Sequence, residues 1–165
     1  MKICVFAGTF DPIQKGHKYV IDKCLEIFDK VIVAVGVNVN KKPLFSLEER
    51  IDLIKKTFDG DDRVEVDCFD GMLVDFMRKK GVTVTVRGLR NQDDYKYETT
   101  MANYNKDLDA KVTTLFIPTP ADLSYVSSSG VRNIIELDAD FSSYVPENIK
   151  EYITDLIKAK AKKKA

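Results

Sequence analysis

Short apolar runs alternate with amphipathic helical patterns along nearly the whole chain. Lys2–Ala7 (KICVFA) is β-rich and stops at Gly8, and from Gly16 onward Val20, Ile21, Cys24, Leu25 and Phe28 recur at helical spacing. Val31–Val37 (VIVAVGV) is almost entirely apolar, the pattern of a central parallel strand covered on both faces. After a polar loop (Asn38-Val39-Asn40-Lys41-Lys42-Pro43), Ser46-Leu47-Glu48-Glu49 forms a capping box that opens a helix with Leu47, Ile51, Ile54 and Phe58 on one face. Val64, Val66 and Cys68 alternate in a third strand over 63–69. A helix bracketed by Gly71 and Gly81 follows, then a β-branched strand, Val82–Val86, that delivers Arg87-Gly88-Leu89-Arg90 to its end.

The second half repeats the theme. A longer helix over Asp93–Leu108 precedes a fifth strand, Lys111–Ile117, ended by Pro118 and Pro120. Ser127-Ser128-Ser129 opens a helix that runs through Ile134, Ile135 and Leu137. Pro146, at a first helical position, begins the last helix, with Ile149, Ile153, Leu156 and Ile157 on its apolar face. This order predicts an α/β fold: a Rossmann-like, open, parallel five-stranded sheet with helices on both faces, in a single domain over residues 1–157. In such sheets ligands bind at the carboxyl ends of the strands. Residues 158–165 form a Lys-rich C-terminal tail, read as a fraying helix end or a disordered extension.

Charge and cysteine usage narrow the function classes. The formal net charge is zero, but five lysines lie within 158–165, leaving residues 1–157 at −5. A mildly acidic body argues against nucleic-acid binding as the main task, so any attraction for polyphosphate must be local. Cys4, Cys24 and Cys68 are odd in number, lack C-x-x-C spacing and sit in apolar patterns, as small buried hydrophobes of a reducing compartment do. No run is long enough to span a membrane and no signal-peptide pattern precedes the first strand, so the expected location is cytoplasmic, without membrane partners. No zinc-type ligand spacing is visible.

The candidate chemistry centres on Gly8-Thr9-Phe10-Asp11-Pro12-Ile13-Gln14-Lys15-Gly16-His17, which holds the only histidine. A glycine at the exit of the first strand and another where a helix begins leave backbone N–H groups at the positive end of that helix, where a phosphate would sit. A plain strand-to-helix turn with an exposed histidine satisfies the same residues. Arg87 and Arg90 suit bidentate contacts to phosphate oxygens, or a structural ion pair. The serines either cap a helix or donate to an anion, Lys41 and Lys42 fit a solvated loop as well as a phosphate, and Glu98 fits a solvated helix face. No G-x-G-x-x-G, P-loop or G-x-S-x-G occurs, which disfavours a conventional dehydrogenase, P-loop kinase or serine hydrolase.

Gly8-Thr9-Phe10-Asp11-Pro12 with Gly16-His17 resembles the T-x-G-H-type motif of the nucleotidyltransferase superfamily, and Ser127-Ser128-Ser129-x-x-Arg132 resembles its second signature. Lys41-Lys42-Pro43, Arg87-Gly88-Leu89-Arg90 and Tyr97-Glu98 make the chain most similar, over nearly its whole length, to the bacterial phosphopantetheine adenylyltransferases. The resemblance implies a nucleotidyltransferase domain over 1–157 that joins ATP to 4′-phosphopantetheine, giving dephospho-coenzyme A and pyrophosphate. By position, His17 would stabilise the transition state, Thr9 would orient both substrates, Lys41 would screen their repulsion, and Arg90 would complete the catalytic set. Leu73, Arg87 and Asn105 would contact phosphopantetheine. Phe10, Gly88, Leu89, Arg90, Glu98 and the segment Leu123, Ser124, Tyr125, Val126, Ser127, Ser128 and Ser129 would hold ATP with Thr9 and His17. The resemblance further implies Mg2+ carried on the ATP phosphates with no protein metal site, and a homohexamer. Ala7 stands where many members have proline, and Asn133 where an acidic residue is frequent. A related transferase with another phosphate acceptor, such as a cytidylyltransferase, or a non-catalytic nucleotide-binding protein would share the fold.

Overall fold

The computed structural model describes residues 1–37 and 42–164. The elements follow in the order β1 (Ile3–Gly8), α1 (Lys15–Ile27), β2 (Lys30–Gly36), α2 (Leu47–Thr57), β3 (Val64–Phe69), α3 (Leu73–Lys80), β4 (Val84–Leu89), α4 (Gln92–Leu108), β5 (Thr113–Pro118), α5 (Ser128–Glu136) and α6 (Lys150–Lys164). All five strands pair in parallel in the order β3-β2-β1-β4-β5. The order reverses between β1 and β4, which makes their carboxyl ends the crevice of the sheet. None of the described helices is long and apolar enough to cross a membrane.

Alternation along β1 divides the core. Cys4 and Phe6 face a large cluster with Val31, Val33, Val35 and Val86, covered by Val20, Ile21 and Cys24 of α1, Leu53 and Ile54 of α2, Val131 of α5 and Ile153 of α6. Val5 and Ala7 face a smaller cluster with Ile32, Ala34 and the α3 residues Val74, Phe76 and Met77. Every residue from Val31 to Val35 is therefore buried, as the apolar run in β2 predicts.

Local signals set most boundaries. Ser46 Oγ accepts from the Glu49 N–H at 3.2 Å while Glu49 Oε2 accepts from the Ser46 N–H at 2.8 Å, completing the capping box at the start of α2. The bounds of β4 and the start of the last helix differ from expectation. β4 starts at Val84 because the Val82 N–H closes the end of α3 onto the Met77 carbonyl, and it continues through Leu89 because β5 pairs with it as far as Leu89–Pro118. Arg87, Gly88 and Leu89 thus belong to the strand, and only Arg90 lies beyond it. Pro146 precedes a single 3-10 turn, Glu147–Ile149, and α6 proper begins at Lys150.

Residues 158–164 continue α6. Lys160 Nζ bonds both carboxylate oxygens of Glu49, at 2.9 and 2.6 Å, and lies 5.7 Å from the Phe45 ring centroid. Ile153, on the same helix, is fully buried. Ile153→Ala is expected to lower the unfolding free energy by about 2–5 kcal/mol. Lys160→Ala should cost under about 1 kcal/mol, because part-exposed ion pairs contribute little. Urea denaturation checks both, and a larger loss at Lys160 than at Ile153 would contradict this packing.

Candidate active site

A cavity of about 580 Å³ opens at the carboxyl ends of β1 and β4. It forms there because the two strands pair only at Val5–Thr85 and Phe6–Val86 and then part. Arg87 fills the gap: its Nη1 donates to the Ala7 carbonyl, and its Nε and Nη2 bond Glu98 of α4 at 2.7 and 2.6 Å. Arg90 pairs likewise with Asp94 (Nε–Oδ2 3.0 Å) and donates to the Val126 carbonyl at 3.3 Å. Both arginines are in ion pairs, as the structural reading has it, and both line the cavity.

The turn after β1 builds the opposite wall. Phe10 has φ +50°, a left-handed conformation that costs an aromatic residue on the order of 1–3 kcal/mol. It is held there by its ring, buried edge-on against Phe6 at 5.6 Å and His17 at 4.9 Å. A Cβ at position 8 would meet that ring at 3.0 Å, so glycine is what lets the ring tuck under the strand end. The Phe10 side chain is thus a buttress for His17.

Gln14 caps α1. Its side chain accepts the Gly16 N–H, and its own N–H donates to His17 Nδ1 at 3.2 Å. With Nδ1 accepting, the neutral ring carries its proton on Nε2. Burial first, then the positive charges of Arg87 and Arg90, push the His17 pKa down from 6.5 to about 3. His17 is therefore a neutral hydrogen-bond donor at physiological pH, at the start of a helix whose free N–H groups favour anions.

A second helix start meets the first. Ser127 caps α5 by accepting from the Gly130 N–H at 3.0 Å, and Ser128 Oγ donates to the Pro12 carbonyl at 2.8 Å. Ser129 Oγ lies 3.2 Å from Ser127 Oγ, so all three serine hydroxyls have partners within the chain, and the Ser128–Pro12 bond seats the α5 N-terminus beside the turn that leads into α1. Gly88 allows the close approach on the third side, since a Cβ there would meet Val20 Cγ2 at 2.9 Å.

Of the residues singled out in the sequence, Thr9, Phe10, His17, Arg87, Gly88, Arg90, Glu98 and Ser127–Ser129 line this cavity. Leu73, Leu89, Asn105, Leu123, Ser124, Tyr125 and Val126 do not, although the Val126 carbonyl holds Arg90. Lys41 lies outside the described residues; its neighbour Lys42 lines the cavity. Asp11, Gln14 and Arg132, which stand in the sequence motifs without an assigned role, also line it, as do Asp94 and Thr119, which the sequence did not single out. Asp94 gave no helical i, i+4 signal, because Arg90 precedes α4 and its N-cap Asn91. Among the described residues no group of three or more His, Cys, Asp or Glu is placed to hold a metal ion, and the carboxylates of Asp94 and Glu98 are taken by arginines.

The sequence pattern of the cytidylyltransferase-like family matches residues 5–134, from β1 into α5. Curated relatives called phosphopantetheine adenylyltransferase include one from Clostridium perfringens, 42% identical over 95% of this chain and 96% of its own length. Others are from Alkaliphilus metalliredigens (44% identical; 89% and 94%) and Geotalea daltonii (44% identical; 92% and 94%). The chain belongs to the phosphopantetheine adenylyltransferase family, within the cytidylyltransferase-like class. The fold is also that of a bifunctional NMN adenylyltransferase/ADP ribose pyrophosphatase from Francisella tularensis. That likeness has a TM-score of 0.75 at 19% identity, covering 96% of this chain and 50% of the other. A putative nicotinate-nucleotide adenylyltransferase from Vibrio parahaemolyticus gives a TM-score of 0.68 at 20% identity, covering 95% and 96%.

The depressed His17 pKa fixes a pH dependence. The unfolded chain takes up a proton near pH 6.5 and the folded one only near 3, so this contribution to stability is complete above 6.5 and is lost as the pH falls toward 3. As the sole histidine, His17 gives one unambiguous set of imidazole NMR signals. They should report a neutral ring protonated on Nε2 from pH 8 down to pH 5 in the ligand-free protein, to within about a unit of pKa. A titration midpoint near 6.5 would contradict this geometry.

Proposed function

We propose that this protein transfers the adenylyl group of ATP to 4′-phosphopantetheine, giving dephospho-coenzyme A and pyrophosphate in coenzyme A biosynthesis. The observation that carries the reading is the 42–44% identity, over most of both chains, to relatives named for that activity. The site geometry supports a reaction of this type. An oxygen of the acceptor phosphate attacks the α-phosphorus of ATP, the bond from that phosphorus to the bridging oxygen breaks, and pyrophosphate leaves with the electron pair. No enzyme group need be modified. Catalysis then consists of aligning two anions and stabilising the charge on the five-coordinate phosphorus.

On this reading, Nε2–H of His17 donates to an α-phosphate oxygen as charge builds there. A neutral donor held by the Gln14 N–H is pre-aimed and loses no proton when the anion arrives. The N-termini of α1 and α5 supply further N–H donors along the triphosphate. Thr9, at the exposed corner of the turn, orients both substrates, and Lys41 screens the incoming phosphate. Arg90, Gly88, Leu89, Glu98, Phe10 and the segment Leu123–Ser129 hold ATP, whereas Arg87, Leu73 and Asn105 hold the pantetheine arm. Magnesium, arriving on the triphosphate, would neutralise part of its charge. The setting is cytoplasmic. We also assign a hexamer, which would cover the exposed Tyr95, Tyr104, Leu108 and Leu115 of α4 and β5.

Pyrophosphate release should require both ATP and 4′-phosphopantetheine. His17→Ala should lower turnover by about 10²–10³-fold, the scale of losing one preorganised donor, with the fold retained. Release measured with ATP or CTP against a panel of phosphorylated acceptors tests the assignment; a preference for CTP or for another acceptor would overturn it.

A further inference from the structure

Two stretches of the cavity wall come from separate parts of the chain: the turn Thr9–His17, and the segment Lys42–Ser46 that leads into α2. Among the described residues no backbone–backbone hydrogen bond joins them. Their relative position is set by two charged side chains that are almost wholly buried, Asp11 at 3% and Arg50 at 4% exposure. Asp11 reaches out from the turn: Oδ2 accepts the Leu44 N–H and Oδ1 the Phe45 N–H, each at 2.9 Å. Arg50 reaches back from α2: Nη1 donates to the Thr9 carbonyl at 2.9 Å and Nε to the Ser46 carbonyl at 3.3 Å. Arg132 of α5 adds a bond to the Asp11 carbonyl at 2.7 Å, tying in the second helix start.

We propose that Asp11 and Arg50 form a cross-brace that fixes the Lys42–Ser46 segment against the Thr9–His17 turn, and that both are positioning residues for the transfer. Arg50 does not line the cavity, and both carboxylate oxygens of Asp11 are occupied by backbone amides, so neither is placed to handle the reacting phosphate. What they control is distance. One segment carries Thr9 and leads to His17, and the other begins at Lys42, beside the lysine assigned to the incoming phosphate. A small misplacement between two such walls lowers the rate without abolishing the binding of either substrate. The inference rests on the proposed adenylyl transfer only in taking the Lys42 side as the side of the acceptor.

The test uses Arg50→Met, which keeps the stem and removes the donors, and Asp11→Asn, which sets an NH2 against one of the two amides. Each should lower kcat about 10- to 100-fold while KM for ATP changes by less than about 3-fold. Arg50→Lys, keeping the charge and one donor direction, should recover part of the loss. Hydrogen exchange supplies a readout independent of activity: the Leu44 and Phe45 amides should exchange at least about 10-fold faster in both variants, while those of β2 stay protected. Wild-type release with 4′-phosphopantetheine tests the proposed reaction, and the brace is judged by the ratio of variant to wild type with whichever acceptor the wild type uses. Folded variants with unchanged kcat would overturn it. So would a loss of β2 protection, or a rise in KM for ATP that matches the fall in kcat, since either marks a purely structural role.

Discussion

The constraint on which the site depends is the short pairing between β1 and β4. Two residue pairs join them, and beyond Phe6 the sheet opens. Had the ladder continued, the Ala7 carbonyl would have been met by backbone, Arg87 would have had no acceptor across the gap, and the cavity would be filled by sheet. Instead the parting of the strands leaves an orphan carbonyl, and a buried polar group of that kind must be answered. Arg87 answers it, and in doing so is held at the mouth of the cavity with Glu98 locked behind it.

The cavity wall carries Lys42, Arg87, Arg90 and Arg132 against Asp11, Asp94 and Glu98. Among the described residues this is a nearly balanced set. On the proposed reading, the two helix starts and the neutral imidazole therefore supply much of the attraction for a polyphosphate. Such donors need no reorganisation when charge appears, and they avoid the desolvation cost of unpaired buried cations. The depressed pKa of His17 belongs to the same scheme, because burial and, after it, the nearby Arg87 and Arg90 disfavour a second proton on the ring.

Much of this was open to a reader of the sequence where the determinants are local. The capping box at Ser46 and Glu49, the cap at Ser127 and the apolar run of β2 each follow from spacing within a few residues. The parallel sheet followed from the alternation of such units. The position of β4 did not, because its extension to Leu89 is decided by β5, almost thirty residues downstream. The roles of Phe10 and Ser128 were hidden for a related reason. Phe10 is turned inward by a left-handed backbone, and Ser128 spends its hydroxyl on Pro12, contacts that only the assembled fold creates. Lys160 read as part of a fraying helix end or disordered extension, since nothing in an Ala-Lys repeat announces Glu49 on another helix.

The contact between position 88 and Val20 carries a consequence for how such chains diverge. Glycine at 88 is needed because a β-branched residue at 20 occupies the space a Cβ would take, with 2.9 Å between them. The two positions therefore form one unit of change, strand on one side and helix on the other. A larger residue at 88 becomes tolerable only where position 20 has already shrunk, so the order in which substitutions arrive is itself restricted. The history of the cavity-lining strand is in this sense written partly on the first helix.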